Sequence, residues 1–206
     1  MSRCVIVGGA EIRRYDRINA FLRPDDFGVF CDSGLKHLPH LRLTPGLIVG
    51  DFDSYARPET AVETIVLPRE KDDTDTKFGL REGLKRGYEE FLLIGVIGGR
   101  PDHMLANVYL LLYLNSLGKR GRIVCDDADM EIVSRGEAEI PDSYSFFSLL
   151  NISGLARGIR ITGAKYPLEN TDFSCEDQYG VSNEVLPGRT ARVSLREGCL
   201  LLIRDF

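Results

Sequence analysis

The sequence predicts an α/β fold: a mostly parallel sheet with flanking helices over roughly the first two thirds, then a small antiparallel β-sandwich. Three observations predict it. Short apolar runs alternate with amphipathic stretches up to about residue 128, the signature of βαβ units. The motifs richest in glycine and aspartate fall directly after such runs, where a parallel sheet opens onto a ligand. Beyond that point short β-type runs follow one another without helical spacing, which reads as antiparallel structure. The boundaries so drawn are 1–128 and 129–206.

Residues 4–7 form the first strand and end in Gly8-Gly9. Ile12, Tyr15, Ile18, Phe21 and Leu22 recur near helical spacing and predict a helix around 12–22. Residues 29–31 are a strand stopped by Asp32-Ser33-Gly34. Residues 47–49 run into Gly50-Asp51-Phe52-Asp53-Ser54, and 64–67 follow as a fourth strand. A helix from about 74 to 87 opens in an acidic turn and stops at Gly87. Residues 91–97 are a strand ending in Gly98-Gly99, and 102–117 a long helix closed by Gly118. Residues 123–125 complete a Rossmann-like series. The later β-type runs are 131–133, 144–150, 158–162, 190–195 and 199–204. Arg135-Gly136, Pro141-Asp142, Pro187-Gly188 and Glu197-Gly198 mark turns between them.

Composition bounds the function. The 206 residues are 43% hydrophobic and 28% charged, an ordinary globular balance. A net charge of -5 without a basic stripe argues against nucleic acid as a partner. No apolar run is long enough to cross a bilayer, and no polybasic segment is present to hold a membrane surface. The apolar stretch at the N-terminus is too short for a signal peptide. The five cysteines are scattered and never spaced as C-x-x-C, which predicts buried thiols in a reducing, cytoplasmic setting.

Four segments carry chemistry. In Gly50-Asp51-Phe52-Asp53-Ser54, strand alternation puts Asp51 and Asp53 on one face if the strand persists. Two carboxylates side by side call for a hard cation, and Mg²⁺ combines carboxylates with phosphate oxygens and water. Lys71-Asp72-Asp73-Thr74-Asp75 opens a helix. Acids there serve as caps, but three exceed what capping needs, so Asp75 can complete a metal site and Lys71 can meet a phosphate. Gly98-Gly99-Arg100-Pro101-Asp102-His103, with Asn107 four residues on, joins a glycine turn to a helix start and a guanidinium fork, all suited to phosphate. Asp32-Ser33-Gly34 can line a nucleotide site. There is no G-x-x-x-x-G-K-[ST], no G-x-G-x-x-G, no zinc spacing and no G-x-S-x-G. What remains is metal-assisted phosphoryl-type transfer.

Taken together these segments resemble the thiamine pyrophosphokinase family, the more so with Lys165-Tyr166-Pro167-Leu168 and Ser182-Asn183-Glu184 late in the chain. The resemblance runs over nearly the whole length. It implies an N-terminal α/β domain for ATP and Mg²⁺, a C-terminal β-sandwich that helps bind thiamine, and a homodimer with active sites at the subunit interface. It implies attack of the thiamine hydroxyl on the β-phosphorus of ATP, with AMP leaving. By position, Asp51, Asp53 and Asp75 match the metal and diphosphate acids. Asp102 joins them as a catalytic candidate. Asp32, Ser33, Gly34, Lys71, Asp72, Gly98, Gly99, Arg100, His103 and Asn107 match the nucleotide site. Asp75, Tyr166, Ser182 and Asn183 match the thiamine site. Some members stack thiamine on tryptophan, and this chain has none. Tyr166 or Tyr179 can offer the aromatic face instead, or both pack the sandwich. Asp75, Asp72 and Asp102 remain open as acceptors of the hydroxyl proton. The alternatives are a Mg²⁺-dependent pyrophosphokinase or phosphohydrolase for another small alcohol or nucleotide, and a non-catalytic nucleotide- or thiamine-binding module.

Overall fold

The computed structural model describes every residue except Met1, Asp53, Ser54, Arg69, Lys71 and Gln178. The chain divides into two compact units, residues 1–126 and 127–206.

In the first unit six strands run parallel in the order β4-β3-β2-β1-β5-β6: β1 (Cys4–Val7), β2 (Phe27–Cys31), β3 (Pro45–Gly50), β4 (Thr64–Val66), β5 (Glu90–Ile94) and β6 (Arg120–Val124). β1 is buried at all four positions and β2 and β5 at all but their first. That is why they read as continuous apolar runs rather than alternating ones. Helix α2 (Asp75–Lys85) packs on β1, β2 and β3. Gly79 and Gly83 let it come close: an added Cβ would sit 2.9 Å from Cys31 Sγ and 2.8 Å from Cys4 Sγ. Helix α3 (Pro101–Ser116) lays Asn107, Leu110, Leu111 and Leu114 inward and packs on β6. That spacing gives one helical face. Helix α1 (Tyr15–Phe21) is shorter than its periodicity predicts. Its start is fixed by the Asp126 carboxylate, which accepts the backbone N–H of Arg13 at 3.0 Å and of Arg14 at 2.9 Å. The predicted strand over 91–97 ends at Ile94, because Gly95 turns to a φ of +61°.

The second unit contains β7 (Ala128–Val133), β8 (Glu137–Pro141), β9 (Phe146–Asn151), β10 (Leu155–Thr162), β11 (Leu168–Ser174), β12 (Thr190–Ser194) and β13 (Leu200–Asp205). β13 pairs antiparallel with β7 on one side and β9 on the other. β11-β10-β12-β8 form a second antiparallel sheet. Leu200, Leu202, Phe147 and Leu149 of one sheet share a core with Ile159, Ile161, Phe173, Ala191 and Val193 of the other, so this is a sandwich. Buried charge is paired: Arg204 meets Asp129 at 2.6 Å and Glu131 at 2.6 Å, and Tyr144 donates to Asp129 at 2.7 Å. Among the described residues no helix is long and apolar enough to cross a membrane.

Candidate active site

Consecutive strands run β4-β3-β2-β1 to one side, and the chain then crosses back to place β5 and β6 on the other. The reversal lies between β1 and β5, where the loops leaving the strand ends diverge and open a cleft. A cleft of about 640 Å³ lies there, lined by Gly8, Gly9 and Ala10 after β1, Asp32 and Ser33 after β2, Asp51 after β3, Thr74 and Asp75 at the start of α2, and the 95–107 segment.

Its floor is acidic. One carboxylate oxygen from each of Asp32, Asp51 and Asp75 lies within 4.8 Å of the others. Three elements bring them together. Asp32 opens a 3₁₀ turn, Asp32–His37, with its backbone at φ +41°. Asp51 follows Gly50, where an added Cβ would sit 3.1 Å from the Cα and Cβ of Asp32, so glycine lets the two strand ends close up. Asp75 begins α2, whose N-cap is Thr74, its hydroxyl accepting from Lys77 N at 3.2 Å. Three hard oxygen donors converging beside a cleft roomy enough for a nucleotide suit a divalent cation such as Mg²⁺.

This set differs from the sequence expectation. Asp53 lies outside the described residues. Strand alternation does not extend past Asp51, because β3 ends at Gly50 and Phe52 has φ +56°. Asp32, expected only as a nucleotide contact, stands inside the acid cluster. A left-handed aspartate after a strand has no periodic signal; its only sequence mark is its place before Ser33-Gly34.

The glycine wall is tightly interlocked. An added Cβ at Gly8 would meet the Gly95 carbonyl at 2.6 Å, and one at Gly34 would meet the Val7 carbonyl at 2.3 Å. Gly34 therefore serves close packing beneath the cleft and is not among its lining residues. Gly98 and Gly99, both lining, take φ values of +108° and +71° in open space. Asn107 is buried and donates to the Val96 carbonyl at 2.9 Å, so it steadies this loop. Arg100 and His103 line the cleft, but Asp102 does not. Asp102 is exposed and grips Arg100 at 2.6 Å. That bond and the His103 N–H hold its carboxyl down to about 2. Asp72 also lies outside the cleft. It lines a neighbouring hollow of about 390 Å³ with Thr74, Lys77, Arg81, Tyr109 and Tyr113. Asp73 is taken up by Lys77 at 2.7 Å and by Arg81. Lys71 lies outside the described residues.

In the second unit the Asn183 side chain is buried and joined to the backbone of Tyr166 in both directions, accepting from its N–H at 3.0 Å and donating to its carbonyl at 2.8 Å. Asn183 thus holds the Lys165-Tyr166 loop. Tyr166 and Tyr179 are exposed, by 58% and 81%, and Ser182 is exposed with φ +59°. Neither tyrosine is consumed by the sandwich core.

Residues 18–125 match the family description "Thiamin pyrophosphokinase, catalytic domain", and residues 133–200 match "Thiamin pyrophosphokinase, vitamin B1 binding domain". The chain is 28% identical over 208 residues to the thiamine pyrophosphokinase of Bacillus subtilis (strain 168), covering 97% of each. Among solved structures it is similar to thiamine pyrophosphokinase from Bacillus subtilis, with a TM-score of 0.87 and 23% identity over 100% of this chain and 99% of that one. It is likewise similar to thiamin pyrophosphokinase from Geobacillus thermodenitrificans, with a TM-score of 0.81 and 26% identity over 100% and 98%. With both halves matched, and with the acid cluster and glycine loops gathered at one cleft, the chain belongs to the thiamin pyrophosphokinase family.

Proposed function

We propose that the cleft of the first unit binds ATP with Mg²⁺, and that the chain transfers the β,γ-diphosphate to the hydroxyl of thiamine. Family membership makes it a transferase of the thiamine pyrophosphokinase kind. The observation that carries the site reading is the convergence of Asp32, Asp51 and Asp75 within 4.8 Å at the mouth of the glycine loops. These three would hold Mg²⁺, with Asp53 joining them on the strength of the resemblance. The ion supplies neutralisation of the charge that builds on the phosphate oxygens. Arg100 and the Gly98-Gly99 turn line the same cleft and suit the phosphates.

In the reaction a bond forms between the thiamine hydroxyl oxygen and the β-phosphorus. The bond from that phosphorus to the oxygen bridging to the α-phosphate breaks, and this oxygen leaves on AMP. The hydroxyl proton needs an acceptor, and Asp75, Asp72 and Asp102 are the candidates; of these Asp75 lines the cleft. Thr74 is shared by the cleft and the hollow containing Asp72, Tyr109 and Tyr113, and an acidic, aromatic hollow suits a cationic heterocycle. Tyr166, Tyr179 and Ser182 of the second unit stay exposed for the acceptor.

Two further parts belong to this proposal. The chain acts as a homodimer, supported by the exposed Tyr166, Tyr179 and Val181 of the second unit. It works in the cytoplasm, supported by five cysteines that are all free.

The test is ³¹P NMR of purified protein with ATP, thiamine and Mg²⁺. AMP and thiamine diphosphate are expected to rise together. ADP with a monophosphate would make the chain an ordinary kinase, and no thiamine-dependent turnover would withdraw the acceptor. Light scattering reads the oligomeric state.

A further inference from the structure

His37 is buried to 1% exposure, and both ring nitrogens are engaged. Nε2 lies 2.8 Å from the Ala10 carbonyl and Nδ1 lies 2.8 Å from the Tyr15 hydroxyl. A carbonyl only accepts, so Nε2 carries the hydrogen; in the neutral ring Nδ1 then accepts from the Tyr15 hydroxyl. Burial favours the neutral ring. It pushes the pKa down; the bond to the Ala10 carbonyl works against this, Lys36 and His40 add to the lowering, and the net direction is down. Tyr15, from α1, is the titratable side chain facing it from another element.

The Ala10 carbonyl belongs to the 8–10 loop, whose other side lines the cleft. Lys36 Nζ grips the preceding carbonyl, Gly9, at 2.5 Å. Two neighbouring residues of the 3₁₀ turn thus draw both carbonyls back. The amides of the same loop are tied to the end of β5 and the turn after it, Gly8 N–H to the Ile94 carbonyl at 2.9 Å and Ala10 N–H to the Gly95 carbonyl at 2.8 Å. The loop has no slack, because a Cβ added at Gly95 would sit 2.5 Å from the Gly8 carbonyl and 3.4 Å from His37 Nε2. A shift of Ala10 would therefore displace the wall formed by Gly8, Gly9 and Gly95. The turn that carries His37 also begins with Asp32 of the acid cluster.

We propose that His37 is a positioning residue for the nucleotide: through the Ala10 carbonyl it sets the glycine wall of the cleft against the acid cluster. This rests on the reading of the cleft as the ATP site.

Replacing His37 by asparagine leaves an amide near the Nδ1 position and removes the link to Ala10. Replacing it by glutamine returns an N–H near the Nε2 position. In the full-length protein H37N is expected to raise the KM for ATP about tenfold, the factor for about 1.4 kcal/mol of lost binding. Its kcat is expected to stay within about twofold, because the acids are untouched. H37Q is expected to bring the ATP KM back to within about threefold of wild type. An H37N enzyme with a wild-type ATP KM, or an H37Q enzyme no better than H37N, overturns the proposal. Should H37N fail to fold, H37Q alone decides: it keeps an N–H for the Ala10 carbonyl and gives up the Tyr15 contact, so an ATP KM raised about tenfold or more in H37Q overturns the proposal. Failure of the wild type to turn over ATP removes the reading of the cleft and this inference with it. An active wild type with indifferent variants removes the inference alone.

Discussion

Gly34→Ala should be costly out of proportion to one methyl group. The new Cβ would sit 2.3 Å from the Val7 carbonyl oxygen, 3.0 Å from its carbon and 3.1 Å from the Gly8 oxygen. Carbon and oxygen settle no closer than roughly 3.3 Å, so the 3₁₀ turn and β1 must separate by about 1 Å. β1 cannot yield, because it is paired to β2 and to β5 along its whole length. That places the cost near the upper end of overpacking, about 3 kcal/mol. For a chain of this size each kcal/mol lowers Tm by about 2–4 °C, so a fall of about 6–12 °C is expected. Gly188→Ala is the control: its φ is +71° with nothing within 4 Å, leaving backbone strain of about 1 kcal/mol. Calorimetry on both variants, with ATP kinetics on the first, makes the test. A Gly34→Ala protein melting within about 2 °C of wild type and keeping its ATP KM would refute the close-packing argument.

Asp51→Asn should cut Mg²⁺-dependent turnover by at least about 100-fold with little change in Tm, read by the ³¹P assay and calorimetry. Asp126→Asn should destabilise the fold by about 2 kcal/mol in urea titration, since the start of α1 depends on that carboxylate. Burial alone pushes the Asp126 carboxyl up, but the N–H groups of Arg14 and Arg13 together with the Arg13 guanidinium outweigh it and hold the carboxyl below its usual range. Its contribution is thus complete above the unfolded pKa of about 3.9 and is lost as pH falls through the lower folded value, so the gap between wild type and Asp126→Asn should close in acid. Thiol titration of the native protein at about pH 8 should show a fast phase from exposed Cys175 that Cys175→Ser removes. Cys4 should react only on unfolding, because burial pushes its thiol up to about 12.

The parallel half was legible because each central strand is buried on both faces and reads as an unbroken apolar run, then stops at glycine or aspartate. Two strands of the sandwich carry no strand pattern in the sequence, β8 and β11, and both are edges of the four-stranded sheet. β8 buries only Ile140 and β11 only Phe173, so neither offers the alternation that marks a strand. At the site, residue types gave the chemistry but not the assignment of tasks. Asp32 joins the acids through a left-handed backbone that no periodicity foretells. Asn107 and Asn183 matched the motifs, yet they spend hydrogen bonds on the backbone of loops beside them. His37 carries no signal in the sequence, since its contact with Ala10 spans 27 positions.

The placement of β13 bears on how the protein is made. This strand, Leu200–Asp205, is the common partner of β7 and β9, bonded to each along its whole length, and it brings Leu200 and Leu202 to the core. As the ribosome extends the chain, residues 128–133 and 146–151 emerge long before the strand that joins them. The first unit can complete its sheet during that interval, while the second holds sticky, half-made edges. The hazard of aggregation during synthesis therefore falls on the second unit. A nonsense mutation or clipping event ahead of residue 200 would leave that unit without its keystone and hand the whole chain to proteases.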